Sequence, residues 1–298
     1  MRRPSRYVAG RCAGCPRTQP AGSDATTVAR MPVHVRRAEA FRALHVPGRP
    51  FVLPNAWDAA SARTLAALPS TAALGTTSAG IAWSLGRPDG ELDRDAMLEV
   101  VARVASAVDV PVSADVEAGY GDVAGTVAGV LAAGAVGVNL EDGTGDPAAP
   151  LRPADEHAAI VAAARAAADD AGVPLFVNAR VDAWWAGAGD PADRLEHAIE
   201  RCRRYVAAGA DGVFAPALVD AETIRALAAA VGAPLNVLAS PGLPPLADLA
   251  ALGVARVSTG SGTYRAALAG AAAVVARLTG DEAPAAYPYA DVQQLMSG

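Results

Sequence analysis

Short apolar runs recur along the chain from Phe51 onward, and each closes on a polar residue or a turn. The runs at 51–55, 72–77, 112–115, 137–141, 175–180, 212–214, 235–238 and 256–258 have strand length. Between them the apolar positions fall at helical spacing. They predict helices near 58–68, 94–108, 123–133, 153–171, 191–208, 221–231, 246–252 and 263–278. Strict strand–helix alternation implies parallel pairing, because each crossover returns the chain to the same end of the sheet. Eight units favour closure, so the pattern predicts a (β/α)8 barrel of the TIM type. A weak internal repeat agrees: 131–138 and 206–213 share Ala-Ala-Gly-Ala-x-Gly-Val, and 251–254 echoes it. Each copy places a glycine, tolerant of left-handed backbone, where a helix stops and a buried strand starts. No Gly-x-Gly-x-x-Gly follows the first strand, which counts against a dinucleotide fold.

A barrel of this kind gathers the C-terminal ends of its strands on one face, where its chemistry sits. Here those ends read Asp115-x-Glu117, Glu141-Asp142 and Asn178-Ala-Arg180. Asp115 and Glu117 are two apart on a strand and so point to one side. Burying both without a partner is costly, and a cation resolves the cost. Oxygen-only ligands suit Mg²⁺ or Mn²⁺. The alternative is an ordinary strand end with solvated acids. Glu141-Asp142 repeats the arrangement one strand later, where both acids are close enough to share the cation's waters or to serve as loop acids. Arg180 suits a substrate carboxylate, bound through its fork, or a structural pair with Asp182 or Glu141. The turn at 76–80 offers the Ser78 hydroxyl and the backbone of Ala79 and Gly80 to a developing oxyanion. Asn55 and Asn236 also end strands, and Asn236 is a candidate substrate contact. Asp89 sits in a Gly-Arg-Pro-Asp-Gly sequence that turn chemistry explains by itself. His157 and His197 fall in helices and are expected at the surface.

Composition narrows the chemistry. The chain has 298 residues, 52% of them hydrophobic, ample for one large barrel. Its net charge of −6 argues against a nucleic-acid surface. It has no apolar run long enough to span a membrane. All 25 basic residues are arginine, so a lysine Schiff base, a pyridoxal phosphate linkage and a Walker-type phosphate lysine are excluded. The three cysteines, Cys12, Cys15 and Cys202, cannot make a disulfide framework, which points to the cytoplasm. Cys12 and Cys15 have metal or redox spacing, but no second pair follows them nearby. Cys202 lies mid-helix and reads as structural. Residues 1–33 lack periodicity and the apolar core of a signal peptide, and read as a disordered extension, with Met31 a candidate start. The barrel domain is expected over 34–280. The Pro/Tyr-rich tail, 281–298, is expected to pack against a partner subunit.

Taken in order, Ser78-Ala-Gly80, Gly86-Arg-Pro-Asp89, Ala114-Asp-x-Glu-x-Gly-Tyr-Gly121, Leu140-Glu-Asp142 and Asn178-Ala-Arg-Val-Asp-Ala183 resemble the isocitrate lyase/phosphoenolpyruvate mutase superfamily. The similarity spans roughly 51–280. It implies a modified barrel of the phosphoenolpyruvate/pyruvate-binding type, often with its eighth helix swapped between subunits of a dimer or tetramer. It also implies an enzyme that makes or breaks C–C or P–C bonds in small 2-oxo or 2-hydroxy carboxylates, through an enolate held on Mg²⁺. By position, the resemblance assigns Asp115 to the metal, Glu117 and Glu141 to its waters, and Asp89 to a supporting role. Arg180 takes the substrate carboxylate, and Ser78, Ala79 and Gly80 take carboxylate or oxyanion oxygens.

The chain also departs from the family. The gate after the Glu-Asp pair often carries Lys-Lys/Arg-Cys-Gly-His, with the cysteine as acid/base, or lysine and asparagine in mutase-like branches. Here residues 143–151 read Gly-Thr-Gly-Asp-Pro-Ala-Ala-Pro-Leu, without Cys, Lys or His. A further acid of the lyases, after strand six, is replaced near Ala215-Pro216. Isocitrate or methylisocitrate cleavage by the usual route is therefore not expected. The leading expectation is a Mg²⁺-dependent lyase or decarboxylase of a small oxo-acid, with water or Asp146 as proton source. Phosphonopyruvate hydrolase- or mutase-like P–C chemistry is the second, and a non-catalytic carboxylate-binding protein the third.

Overall fold

The computed structural model describes residues 32–297. The Cys12/Cys15 pair, Met31 and nearly all of the 1–33 extension lie outside the described residues. The chain enters through helix α1 (Val33–Ala43), a helix outside the predicted alternation. Its buried Ala38 and Phe41 join Leu53, Ala73, Val136 and Phe176 in a cluster at the N-terminal ends of the strands. This cluster forms the barrel floor.

The first predicted strand is two short ones, β1 (Phe51–Leu53) and β2 (Asn55–Ala56), separated by Pro54. Proline has no N–H to give to a ladder, so pairing breaks there. Its carbonyl still accepts from Gly75 N at 2.9 Å. The remaining strands are β3 (Leu74–Thr76), β4 (Val112–Asp115), β5 (Gly137–Glu141), β6 (Phe176–Arg180), β7 (Gly212–Ala215), β8 (Leu235–Leu238) and β9 (Val254–Ser258). Every pairing is parallel, β1 to β9 and then down the sequence to β2. Because β1 and β2 are contiguous, these nine strands trace an eight-stranded ring, as the alternation predicts.

Around the ring lie α2 (Ala59–Ala66), α3 (Ser78–Ser84), α4 (Arg94–Ser106), α5 (Val123–Ala132), α6 (Ala154–Asp170), α7 (Arg194–Ala207), α8 (Ala221–Val231), α9 (Leu246–Ala251) and α10 (Gly262–Thr279). Aspartates begin several of them. Asp58, Asp93, Asp122 and Asp220 each accept an N–H from the first turn of α2, α4, α5 and α8. These caps fix the loops that leave the strand C-termini. The main core lies between strands and helices. Among the described residues no helix is long and apolar enough to cross a membrane.

Three local expectations change. Ser78 begins α3 instead of lying in a turn, because Thr77 caps the helix through its side chain. His157 is fully buried, with its ring edge-on to Tyr205, since its position faces the sheet; His197 is exposed as expected. The tail forms helix α11 (Tyr289–Ser297), which packs on α3 of its own chain. Val292 is its buried anchor, and Gln293 accepts from Trp83 Nε1 at 2.8 Å.

The inside of the ring is polar. Asn139, Asn178, Asn236, Arg256 and Ser258 are all buried there. Asn178 donates to Asn139 Oδ1 at 2.8 Å, and Ser258 donates to Asn236 Oδ1 at 3.1 Å.

Candidate active site

At the C-terminal mouth two chambers meet. The outer one, of about 360 Å³, is lined in part by Glu117, Glu141, Asp146, Arg180 and Asp182. The inner one, of about 60 Å³, reaches down to Asp115, Asn139 and Ser258. Ser78, Asp89, Arg180, Trp185 and Tyr289 border both.

Asp115 ends β4, and its Oδ2 accepts from the backbone and hydroxyl of Ser78, each at 3.1 Å. Its Oδ1 is buried with no hydrogen-bond partner; Glu117 Oε1 is also buried and unpartnered, with the Tyr120 hydroxyl, itself unpartnered, as its protein neighbour. Glu117 has a left-handed backbone, φ +51°, which costs energy in a residue with a Cβ. Burial, reinforced by Asp89 and Asp115, pushes its carboxyl up to about 7. Burial also raises Asp89, against the Tyr289 hydroxyl that donates to it at 2.6 Å. Two orphaned carboxylate oxygens beside further acids fit a hard divalent cation. Among the described residues no group of three His, Cys, Asp or Glu side chains forms a ready-made metal cage.

Arg180 ends β6 between two acids, with Nη1 2.6 Å from Glu141 and Nε 2.6 Å from Asp182. Burial works against its charge, yet Glu141 and Asp182 hold it protonated. The guanidinium also lies over the Trp185 and Phe214 rings, at 5.7 and 5.9 Å. The structural pairing is therefore real. It leaves Nη2 as the nitrogen available to a ligand.

Other candidates are placed elsewhere. Asp142 is fully buried on the opposite side of its strand from Glu141, accepting from Asp182 N, Arg201 and Tyr205 at 2.8, 3.0 and 2.8 Å. It pins β5 to β6 and α7 and does not share the Glu141 environment. Gly80 N–H is donated to Thr77 in the α3 cap, and Asn236 lies in the polar ring interior. Neither lines a chamber. Asp89 belongs to the site wall and is more than a turn residue. Ala79 borders the inner chamber, as does Pro216.

The gate segment folds on itself. Gly143 bridges Leu151, Thr144 N donates to the Pro150 carbonyl at 3.1 Å, and Asp146 Oδ1 accepts from Ala148 N at 2.8 Å. A Cβ at Gly143 would collide with the Asp182 carboxylate, so only glycine lets the loop leave the strand here. Sequence reasoning missed Trp185 and Tyr289. Both are aromatic residues in loop or tail, and nothing in local spacing points to them. Their rings meet edge to face at 5.4 Å over the mouth.

Comparison with known proteins agrees with this geometry. The family described as phosphoenolpyruvate phosphomutase matches residues 41–279. The chain is 42% identical over 256 residues to the Mycobacterium tuberculosis protein Rv1998c, covering 85% of this chain and 94% of that one. It is 30% identical over 247 residues to an oxaloacetate decarboxylase of Ectopseudomonas mendocina, covering 79% and 82%. It superposes on a solved phosphonopyruvate hydrolase complex with oxalate and Mg²⁺ with a TM-score of 0.71 and 30% identity, covering 82% and 87%. A barrel with a polar ring interior and with acids and one arginine at its mouth, and a family match over most of its length, make this chain a member of the isocitrate lyase/phosphoenolpyruvate mutase superfamily, a family of enzymes.

Proposed function

We propose that the chain is a Mg²⁺-dependent carbon–carbon lyase of a small 2-oxo or 2-hydroxy carboxylate, with decarboxylation of a 2-oxo acid as its leading reaction. The observation that carries this reading is the pair of buried, unpartnered oxygens, Asp115 Oδ1 and Glu117 Oε1, beside the Arg180 fork. Asp115 would hold the cation directly, and Glu117 and Glu141 its waters. When bound, Mg²⁺ supplies a Lewis acid for negative charge developing on a substrate oxygen.

The chain's own residues do the rest. Arg180 Nη2 takes a substrate carboxylate, with Glu141 and Asp182 fixing its plane. The Ala79 backbone borders the substrate's oxygens, while the Ser78 hydroxyl, which donates to Asp115 Oδ2, holds that carboxylate in place. The Trp185 and Tyr289 rings limit water at the inner chamber. Loss of CO₂ leaves the bond's electron pair on the neighbouring carbon as an enolate, which then takes a proton. The Tyr289 hydroxyl, hydrogen-bonded to Asp89, carries a proton at this wall, and Asp146 can steer a water from the outer chamber. No gate cysteine is needed, because decarboxylation requires an electron sink before it requires an acid.

The relative solved with oxalate and Mg²⁺ supports the ligand class, and the decarboxylase relative supports the reaction. The exposed apolar positions Val274, Val275 and Leu278 on α10 suit a homo-oligomer, and the cysteine usage suits the cytoplasm. The test is turnover with Mg²⁺ on oxaloacetate, phosphonopyruvate and branched malates, using wild type and Asp115→Ala. CO₂ release from an oxo-acid that Asp115→Ala abolishes is expected. Phosphate release alone would shift the reading to P–C chemistry. Tight oxalate binding without any turnover would leave a carboxylate-binding protein.

A further inference from the structure

The ring interior holds a charge that the proposed chemistry does not use. Arg256 in β9 is fully buried, in register with Phe51 on one side and Asn236 on the other. Its Nη2 donates to Asn139 Oδ1 at 2.8 Å and its Nε to Ser258 Oγ at 3.2 Å, while Nη1 lies 3.4 Å from His45 Nε2. All three partners are neutral. Arg180, Arg201 and Arg165, by contrast, pair with acids: Arg180 with Glu141 and Asp182, Arg201 with Asp142, and Arg165 with Asp211. Among the described residues no carboxylate pairs with Arg256. Arginine does not shed its proton to escape such a place. An unpaired buried charge is costly to keep, and a packed aliphatic side chain would fill the same volume without that cost.

The position of its partners suggests what the charge serves. Asn139 and Ser258 both line the inner chamber. Asn139 pairs in register with Asp115, and its Oδ1 accepts from both Arg256 and Asn178. Both lone pairs of that oxygen are then used, which leaves the amide NH₂ to meet a ligand. Arg256 therefore stands one layer beneath the chamber, orienting two of its lining groups. It also projects a positive field that water does not screen.

We propose that Arg256 is a positioning residue that forms the electrostatic floor of the ligand site, favouring dianionic over monoanionic ligands in the inner chamber. The inference rests on the proposed oxo-acid and oxalate site above it. It has a signature that a purely structural pillar lacks. A positive charge below the site helps an anion and hinders a cation, so removing it must weaken anion binding without weakening that of the cation.

The test uses the full chain as wild type, Arg256→Gln and Arg256→Lys. Mg²⁺ is titrated alone, then oxalate and oxamate at saturating Mg²⁺; oxamate replaces one carboxylate by a neutral amide. For Arg256→Gln, oxalate affinity is expected to fall about tenfold, or about 1.4 kcal/mol. Oxamate should fall much less, and Mg²⁺ alone should bind as tightly or tighter. Arg256→Lys should keep the wild-type oxalate-to-oxamate ratio. If Arg256→Gln does not fold, Arg256→Met, which keeps the stem's volume, is read the same way. Equal losses for both anions, weaker Mg²⁺ binding, or a ratio lost in Arg256→Lys would each overturn the proposal while the ligand site stands. A wild-type chain that binds no oxalate with Mg²⁺ would overturn both the site and this inference.

Discussion

Arg180 shows how a single residue serves structure and binding together. Its Nε and Nη1 are spent on Asp182 and Glu141, and the ring of Trp185 covers its face. Those contacts fix the plane of the fork before any ligand arrives, which lowers the entropy cost of binding. A lysine ammonium has no such plane. Arg180→Lys is expected to weaken oxalate binding at least about tenfold by titration, and unchanged affinity would make the residue purely structural. Tyr289 carries a different expectation. Tyr289→Phe keeps the ring against Trp185 and removes the hydroxyl on Asp89. If that hydroxyl moves a proton, kcat should fall roughly 100-fold with oxalate affinity nearly constant; a loss of affinity with kcat intact would assign it to binding. Much of this was legible in the sequence at the residue scale. Asp115, Glu117, Glu141 and Arg180 all reach the chambers. Asp142 reads in the sequence as a second acid near the cation beside Glu141, although neighbours along an extended segment face opposite sides, so Glu141 and Asp142 cannot both face the mouth.

Elements whose order follows local pattern were legible, and those set by distant contacts were not. Strand–helix alternation and aspartate caps are local, and they locate the barrel units well. The break at Pro54 follows from the missing N–H. Helix α1 and helix α11 have no local signal for where they dock. Phe41 finds Phe176 across the floor, 135 positions away. Gln293 finds Trp83 and Asp89 across more than 200 positions. The α11 contact matters for function because it carries Tyr289 to the mouth. Val292→Asp places a carboxylate at its fully buried anchor, at a cost of several kcal/mol if the helix stays docked. Undocking is the expected result: limited proteolysis should clip the chain between 281 and 298, and oxalate affinity should fall. Protease resistance equal to wild type would mean that the tail is held by other contacts.

For the whole molecule, two buried histidines contribute to the response to acid. His45 donates from Nδ1 to the Phe41 carbonyl at 2.9 Å, stacks on Phe176, and faces Arg256 with Nε2. The tautomer follows from these partners. Burial and the adjacent guanidinium push its pKa down from 6.5 to about 3, and burial pushes His157 down to about 4. At these two rings the unfolded chain therefore binds more protons than the folded one, whereas at Glu117, raised to about 7, the folded chain binds more. The His45 contribution to stability is complete above about 6.5 and is lost as pH falls towards 3. Across that window the urea midpoint of wild type should fall relative to that of His45→Gln; midpoints that run parallel in the two proteins would contradict the assignment. The central claim is that the mouth of this barrel holds a small carboxylate beside a divalent cation. It is tested most directly by titrating oxalate into the full chain with and without Mg²⁺. The account predicts binding that requires the metal and that disappears in Asp115→Ala. Oxalate binding of equal strength without metal, or none under either condition, would contradict it.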